Sequence, residues 1–252
     1  MTARDARELV ELATRVGRSL TPFQNRRWDG DFLTLRRLAG EGALGQVRRC
    51  ESRFETWRPS ESKPWKAAGP ATGAGVLYDL GSHLIDQALQ LLGPAEVLHA
   101  ELLRQREGEG ADDDVFVALQ HEGGAVSHLW MSRVASQLGP RFRVLGSAAG
   151  FTSYGLDPQE EQLREGRRPG DPGFGERSPG DVGLLGITGD EERVAIEPGD
   201  YAAFYRGVAA TVHDGAAPVV DPLDSVAVVE LIEQLHREFP VRRPASATSA
   251  DR

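Results

Sequence analysis

The chain has 252 residues, which is enough to bury a substantial core in one large domain or two small ones. Hydrophobic residues make up 40% of it and charged residues 27%, an ordinary composition for a soluble globular protein. The net charge of −9 argues against nucleic acid or an anionic membrane surface as a partner, because both bind mainly through Lys and Arg.

The cysteine and hydropathy patterns indicate a cytoplasmic protein. Cys50 is the single cysteine, so no internal disulfide can form and a reducing compartment fits. We expect it to be a small buried residue on a strand. No apolar run approaches the roughly 20 residues that span a bilayer. The first 17 residues contain no apolar signal-peptide core.

The first half of the chain alternates helices and strands. A possible capping box, Thr2 with Asp5, precedes an apolar stripe and predicts the first helix. In chain order the predicted elements are a helix at 2–16, a strand at 19–23, a helix at 31–41, a strand at 47–57, a loop at 58–72 and a helix at 76–92.

The second half is predicted to consist of strands followed by helices. The strands are expected at 96–105, 115–121, 125–133, 141–145 and 151–154, followed by a Gly- and Pro-rich stretch at 156–192. That stretch holds one short helix at 158–165, and then come a strand at 193–197 and helices at 201–213 and 221–238.

This order predicts an α+β fold with a large, mostly antiparallel open sheet. Consecutive hairpins favour antiparallel pairing, and the helices should cover one face of the sheet. The opposite face then needs cover of its own. A second subunit is the usual solution, so we expect a homo-oligomer that assembles through the open sheet face.

Two patterns imitate functional sites. Residues 40–45, GEGALG, match G-x-G-x-x-G, but a helix is predicted before them and a strand after them. A dinucleotide site needs the reverse order, so we interpret the run as a helix C-cap and turn. Five histidines are scattered along the chain: His99, His121, His128, His213 and His236. None has a Cys or a carboxylate at the spacing of a zinc site, so we interpret each as a surface or strand residue and predict no metal site there.

The helix predicted at 76–92 carries an unusual polar stripe. Asp79, His83 and Asp86 fall within about 60° of one another on a helix of 100° per residue. Spacing alone leaves three interpretations open: a solvated helix face, an acid–base site and, least favoured, a metal site. A histidine near carboxylates suits proton transfer around neutral pH.

Five segments carry motifs that recur together in one known family. They are PFQNRRWDGDFLTLRRL (22–38), GEGALGQV (40–47), ATGAGVLYDLGSHLIDQALQLLG (71–93), FTSYGLDPQEEQLREG (151–166) and GDYAAFYRGVAATVHDG (199–215). Together they resemble the Gfo/Idh/MocA family of NAD(P)-dependent oxidoreductases, and within it the scyllo-inositol 2-dehydrogenase (NADP+) type.

The resemblance implies a division into domains. Family members join an N-terminal Rossmann domain, which binds NAD(P), to a C-terminal substrate and oligomerisation domain. Residues 1–23 would be a remnant helix and strand of the first domain, 24–238 the second domain, and 239–252 a disordered tail. The glycine-rich turn and the Glu-Lys-Pro motif with the catalytic lysine have no counterpart; Ser62-Lys63-Pro64 imitates the latter without aligning to it. We therefore do not expect this chain alone to bind NAD(P).

The resemblance also implies roles for individual residues. His83 and Asp79 match the catalytic pair: His83 would exchange the hydroxyl proton, and Asp79 would orient and polarise His83. Asp86, Asn25 and Arg26 match substrate-binding positions. Two further candidates for substrate contact are Tyr154 and Arg58.

Three functions remain open from sequence. The first is the substrate domain of a polyol, inositol or sugar dehydrogenase, inactive without its cofactor domain, and it is the one we favour. The second is a non-enzymatic sugar-binding or oligomerisation module. The third is half of a split dehydrogenase that is completed by a separate nucleotide-binding chain.

Overall fold

The structure is a computed structural model that describes residues 2–60, 73–107 and 110–243. Most of the loop predicted at 58–72, with its Ser62-Lys63-Pro64 motif, lies outside the described residues, as do residues 244–252 of the predicted tail. In the described part of the chain, no helix is both long enough and apolar enough to cross a membrane.

Local signals explain where the helices begin. Thr2 and Asp5 form the predicted capping box of the first helix, and Asp221 caps the last one, which has Pro222 in its first turn. The helices are α1 (Ala3–Arg15), α2 (Gly30–Gly40), α3 (Ser82–Leu92), α4 (Gln159–Arg164), α5 (Tyr201–Asp214) and α6 (Pro222–Glu238). A 3₁₀ turn at Asn25–Trp28 precedes α2, and a π-helical turn at Leu77–Gly81 precedes α3.

Eight strands form one open sheet in the order β2-β3-β4-β1-β5-β6-β7-β8. They are β1 (Val47–Glu55), β2 (Ala95–Leu103), β3 (Asp114–His121), β4 (Val126–Ser132), β5 (Phe142–Gly146), β6 (Gly150–Ser153), β7 (Val182–Ile187) and β8 (Asp190–Ala195). The β1–β4 pair is parallel, and the other six adjacent pairs are antiparallel.

The core lies between the sheet and helices on one face of it. Apolar side chains of the π-helical turn, α3 and α6 pack on β2, β3 and β4. A second cluster joins α2 to β1, β5 and β6, and it includes Phe32, Phe142 and Phe151. Cys50 is buried on β1 in this cluster, as predicted. The predicted α+β fold with a mostly antiparallel open sheet is confirmed.

The strand predicted at 19–23 is not formed. These residues have no regular secondary structure and pair with no strand in the described part of the chain. The ring of Phe23 instead contacts Phe204 on α5, with centroids 4.9 Å apart. Extended backbone becomes a strand only when a neighbour completes its hydrogen bonds, and a local pattern cannot supply that neighbour.

Strand β7 was missed because its sequence, VGLLGI, lies in a Gly- and Pro-rich stretch. Glycine disfavours strands in general. Here Gly183 allows β7 to approach the Phe151 ring of β6, because a Cβ at position 183 would overlap that ring.

The first residues of the predicted tail contact the sheet and the core. Val241 packs against the first core cluster, and the backbone of Arg242 exchanges hydrogen bonds with Leu102 and Arg104 beside β2. The start of this segment therefore extends the edge of the sheet.

Candidate active site

Asp112 holds the start of the helix that carries the predicted acid–base pair. The carbonyl of Asp112 accepts a hydrogen bond from the Val76 N–H (3.0 Å), and its carboxylate accepts one from the Leu77 N–H (2.8 Å). Gly75 has φ +104°, and a Cβ there would overlap the Asp112 carboxylate. The π-helical turn that follows carries Asp79, and α3 carries His83. Such turns are frequent at functional sites.

Asp79 and His83 face a cleft of about 340 Å³. This volume is in the range of small-molecule sites. The described residues that line it are Arg26, Phe54, Thr56, Arg58, Ser60, Asp79, Leu80, His83, Arg106, Arg133, Leu156, Asp157, Glu160, Glu161 and Arg164. Four residues singled out from sequence, His83, Asp79, Arg26 and Arg58, therefore meet at one cleft.

The His83 imidazole is held in its neutral form. Burial, and then the positive charge of Arg26, lower the pKa of His83 from 6.5 to about 3, although Asp79 acts in the opposite direction. Nδ1 is enclosed without a hydrogen-bond partner. Nε2 is therefore the ring nitrogen available to a ligand in the cleft.

Asp79 is oriented by an arginine that the sequence reasoning did not select. The Arg133 guanidinium donates a hydrogen bond of 2.6 Å to the Asp79 carboxylate. Arg133 directly follows strand β4, so the centre of the sheet positions it. The pair places a fixed negative charge beside His83.

Arg26 connects the cleft to a buried polar network. Its guanidinium lies 4.5 Å from the centre of the Phe54 ring and pairs with Asp29 (3.2 Å) and Glu160 (2.6 Å). The Arg26 carbonyl accepts a hydrogen bond from Gln87, which lies one turn after His83 on α3. The segment that carries Arg26 is thereby tied to the helix that carries His83.

Behind Arg26 lies a carboxyl group that titrates near neutrality. Burial raises the pKa of Asp29 to about 7, against the opposing charge of Arg26. The Tyr201 hydroxyl donates to Asp29 at 2.9 Å. Arg141, also buried, donates to Gln87 and Ser52, at 2.7 and 2.6 Å. This network holds the back of the cleft together.

Asp86 points away from the other two members of the predicted stripe. Its carboxylate is 2% exposed and accepts two hydrogen bonds from Arg27, of 2.8 and 2.6 Å. Arg27 also pairs with Asp224 on α6 (2.9 Å). Asp86 and His83 are separated by about 60° around the helix axis. This difference in direction is enough for the Asp86 side chain to point toward α6 instead of the cleft.

Two other predicted substrate contacts lie elsewhere. Asn25 is buried in the 3₁₀ turn beside Arg26. Tyr154 is 59% exposed and borders a different depression, formed by β5, β6 and β7. Neither is among the residues that line the cleft of His83. The role predicted for each as a substrate contact stays a prediction.

Sequence reasoning missed several residues of the cleft. Asp157, Glu160 and Glu161 lie in the segment 151–166, from which Tyr154 alone was selected. Their acidic side chains near a motif could have signalled a site. Arg106 and Arg133 carried no such signal, because only the pairing of strands brings them to the cleft.

The G-x-G-x-x-G run does not have the setting of a dinucleotide site. Helix α2 ends at Gly40 and strand β1 follows the run, as predicted, so the run does not lead into the N-terminus of a helix. Part of its backbone is already hydrogen-bonded: the Ala43 N–H donates to the Leu38 carbonyl, and the Leu44 carbonyl accepts from the Ala148 N–H. A Cβ at Gly45 would overlap Ser147. Among the described residues, no group of three or more His, Cys, Asp or Glu could hold a metal ion.

Comparison with known proteins places these features in context. A model of the GFO/IDH/MocA C-terminal domain matches residues 32–152. The chain is 34% identical to the scyllo-inositol 2-dehydrogenase (NADP(+)) IolW of Bacillus subtilis (strain 168), over 92% of this chain and 65% of that protein. It is 37% identical to the uncharacterized oxidoreductase YdgJ of Escherichia coli (strain K12), over 92% of this chain and 67% of that protein.

A solved structure shows the same fold. The crystal structure of an oxidoreductase from Bacillus cereus superimposes with a TM-score of 0.84 and 30% identity, covering 92% of this chain and 68% of that one. The chain thus spans about two thirds of the length of these relatives.

Proposed function

Because the chain belongs to the Gfo/Idh/MocA family of NAD(P)-dependent oxidoreductases, we propose that its cleft binds a polyol, an inositol or a sugar and exchanges the proton of the hydroxyl at which oxidation or reduction occurs. The observation that carries this proposal is the meeting of His83, Asp79 and Arg26 at one cleft. The name of the Bacillus subtilis relative supports an inositol as one candidate.

We assign the proton exchange to His83. Neutral imidazole can accept the hydroxyl proton at Nε2, and Asp79 stabilises the imidazolium that forms. A pKa of about 3 makes His83 a weak base. The charge of Arg26, which lowers that pKa, would in turn stabilise negative charge that develops on the substrate oxygen.

We place the cofactor site outside the residues described here, in a further domain or a separate chain. The chain alone would then bind substrate without carrying out hydride transfer. We expect millimolar NAD(P)+ to leave its melting temperature unchanged, since bound ligand would raise it. A rise of several degrees would contradict this assignment.

Binding by the chain alone tests the proposal. Calorimetry with a panel of inositols, polyols and hexoses should give binding by at least one of them. The imidazole NMR signal of His83 should shift during that titration. Asp79 also lines the cleft, where its carboxylate can accept a hydrogen bond from a ligand hydroxyl, so we expect Asp79→Asn to weaken binding by about tenfold.

The control is Asp224→Asn, which removes a carboxylate outside the cleft and should leave the affinity unchanged. If folded protein binds none of the panel, or binds without any change at His83, the proposed function is wrong.

We also propose that the open sheet face is a contact between copies of the chain. The side of the sheet opposite the helices carries Phe116, His128 and Trp130 as neighbouring aromatic rings, with the Arg53 guanidinium 3.9 Å from the Trp130 ring centre. An apolar and aromatic surface of this kind favours burial against a partner.

A further inference from the structure

The charge of the cleft differs in sign from that of the whole chain. The net charge of the sequence is −9. Among the described residues that line the cleft, five arginines face four carboxylates, so its lining is net positive by one charge. A local positive potential in a concave site raises the local concentration of anions.

The positive charge is concentrated on one wall. We call Arg58, Arg106 and Arg133 the basic wall. The Arg58 N–H donates to the Arg133 carbonyl at 2.7 Å, and the Arg106 guanidinium donates to the Arg58 carbonyl. Three segments that are distant in sequence are thereby joined side by side at the cleft.

A second part of the lining, on and around helix α4, carries three carboxylates, and we call it the acidic wall. Glu160 pairs with Arg26 and Arg164, at 2.6 and 2.8 Å. Asp157 and Glu161 also line this side. A ligand in the cleft therefore meets both positive and negative side chains.

The members of the basic wall differ in how far their charge is already neutralised. Arg133 is paired with Asp79, and Arg106 lies 3.9 Å from Asp113. Arg58 is exposed at the cleft and forms no ion pair with any carboxylate in the described part of the chain. Its guanidinium retains its donors for a ligand.

We propose that the ligand of this cleft is a polyhydroxy compound that carries a carboxylate, such as a sugar acid, with the carboxylate bound at Arg58 on the basic wall. This inference rests on the proposed function and narrows its substrate class. Guanidinium binds carboxylate through paired, charge-assisted hydrogen bonds. The hydroxyl to be oxidised would lie at His83.

The acidic wall favours a carboxylate over a phosphate. A phosphate monoester carries about −1.5 to −2 charges at pH 7, whereas a carboxylate carries one. Glu160 and Glu161 repel the larger charge more strongly in a cleft of this size. A single negative charge matches Arg58, the one arginine among the described lining residues that forms no ion pair with a described carboxylate.

Calorimetry with matched sugars tests the proposal. Glucuronate and glucose share one ring and differ in charge at C6. We expect glucuronate to bind about tenfold more tightly at low salt. The ratio of the two affinities should fall at about 0.5 M salt, where charges a few ångströms apart are already screened. Glucose 6-phosphate should bind more weakly than glucuronate.

The matched variants are Arg58→Gln and Arg36→Gln. Both remove one exposed arginine, but Arg36 lies on α2 outside the cleft. We expect Arg58→Gln to bring the ratio of glucuronate to glucose affinity close to one and Arg36→Gln to leave it unchanged. Circular dichroism confirms that each variant is folded.

The outcomes separate this inference from the proposed function. If glucose binds as tightly as glucuronate, the proposal that the ligand carries a carboxylate is wrong, but the proposal that the cleft binds a polyol or sugar remains. If the two variants reduce the ratio equally, net charge explains the preference and the role of Arg58 is wrong. If glucose 6-phosphate binds more tightly than glucuronate, the ligand carries a phosphate and the proposed carboxylate is wrong. If the folded wild-type protein binds no sugar, polyol or sugar acid, both proposals are wrong.

Discussion

At the level of single residues, burial and partner charges decide what a side chain can do. Asp79 and Asp86 are both aspartates on one face of the same helical segment. Asp79 borders the cleft beside His83, whereas Asp86 is buried in an ion pair with Arg27. Two aspartates seven positions apart therefore differ in role: Asp79 lines the cleft, and Asp86 forms a buried ion pair.

The Asp86–Arg27 pair should stabilise the fold. Removing one partner of a buried ion pair leaves the other charge uncompensated, which costs about 3–5 kcal/mol. We expect Asp86→Ala to lower the free energy of unfolding by about 3 kcal/mol in urea denaturation. Asp224→Ala removes the other carboxylate on Arg27, but Asp224 is 36% exposed, so the expected loss is below about 1 kcal/mol. Equal losses in the two variants would contradict this explanation.

The pKa of His83 predicts how stability depends on pH. Between pH 6.5 and about 3, His83 is protonated in the unfolded chain but neutral in the folded protein. Its contribution to stability is therefore complete above pH 6.5 and is lost as the pH falls toward 3. Asp29, with its raised pKa, contributes in the opposite direction over part of this range.

A variant isolates the contribution of His83. We expect the free energy of unfolding of His83→Gln to fall less than that of the wild type as the pH decreases from 6.5. Urea unfolding at a series of pH values measures the difference. An NMR titration in which His83 of the folded protein protonates near pH 6.5 would contradict the prediction.

At the level of elements, the start of the helix that carries Asp79 and His83 depends on a loop from another part of the chain. The helix at 76–92 was predicted from its apolar stripe, and it forms. The π-helical turn in its first part was not predicted, because the hydrogen bonds from Val76 and Leu77 to Asp112 are not visible in the local pattern. The position of Asp79 therefore depends on strand β3 and the loop before it.

Asp112 should matter more than its neighbour Asp114. Asp112→Ala leaves the buried Leu77 N–H without an acceptor, which costs about 1–3 kcal/mol. Asp114 accepts a hydrogen bond from Gln105 at the surface, so Asp114→Ala should cost less than about 1 kcal/mol. Hydrogen exchange should also show faster exchange of the Leu77 amide in Asp112→Ala alone. If the Leu77 amide exchanges at the same rate in Asp112→Ala as in the wild type, the Asp112 carboxylate does not hold the start of this helix.

At the level of the whole molecule, the helices among the described residues pack on one face of the sheet, and no described element forms a layer over the other face. We expect the chain to form a homo-oligomer in solution through this face. Trp130→Glu should reduce the oligomer in size-exclusion chromatography with light scattering, because it buries a charge in the contact. Tyr205→Glu changes an exposed aromatic residue on α5, in the helical layer, and should have no effect. A monomeric wild type, or dissociation in both variants, would contradict the proposed contact.

The sequence by itself determined the fold class, most helices and strands, and the presence of Asp79 and His83 on one helix. Apolar periodicity, caps and turn residues act between neighbours in sequence, so they can be recognised without tertiary contacts. The family was recognised from several such segments together.

Only the tertiary structure decided which polar residues meet. It turned Asp86 toward Arg27, placed Tyr154 at another depression and brought Arg26 to Glu160 across 134 positions of sequence. It also assembled the basic wall from three segments. These contacts depend on strand order and on burial, which set both the partners and the pKa of each charged group. The spacing of residues along the chain gives neither the strand order nor the burial.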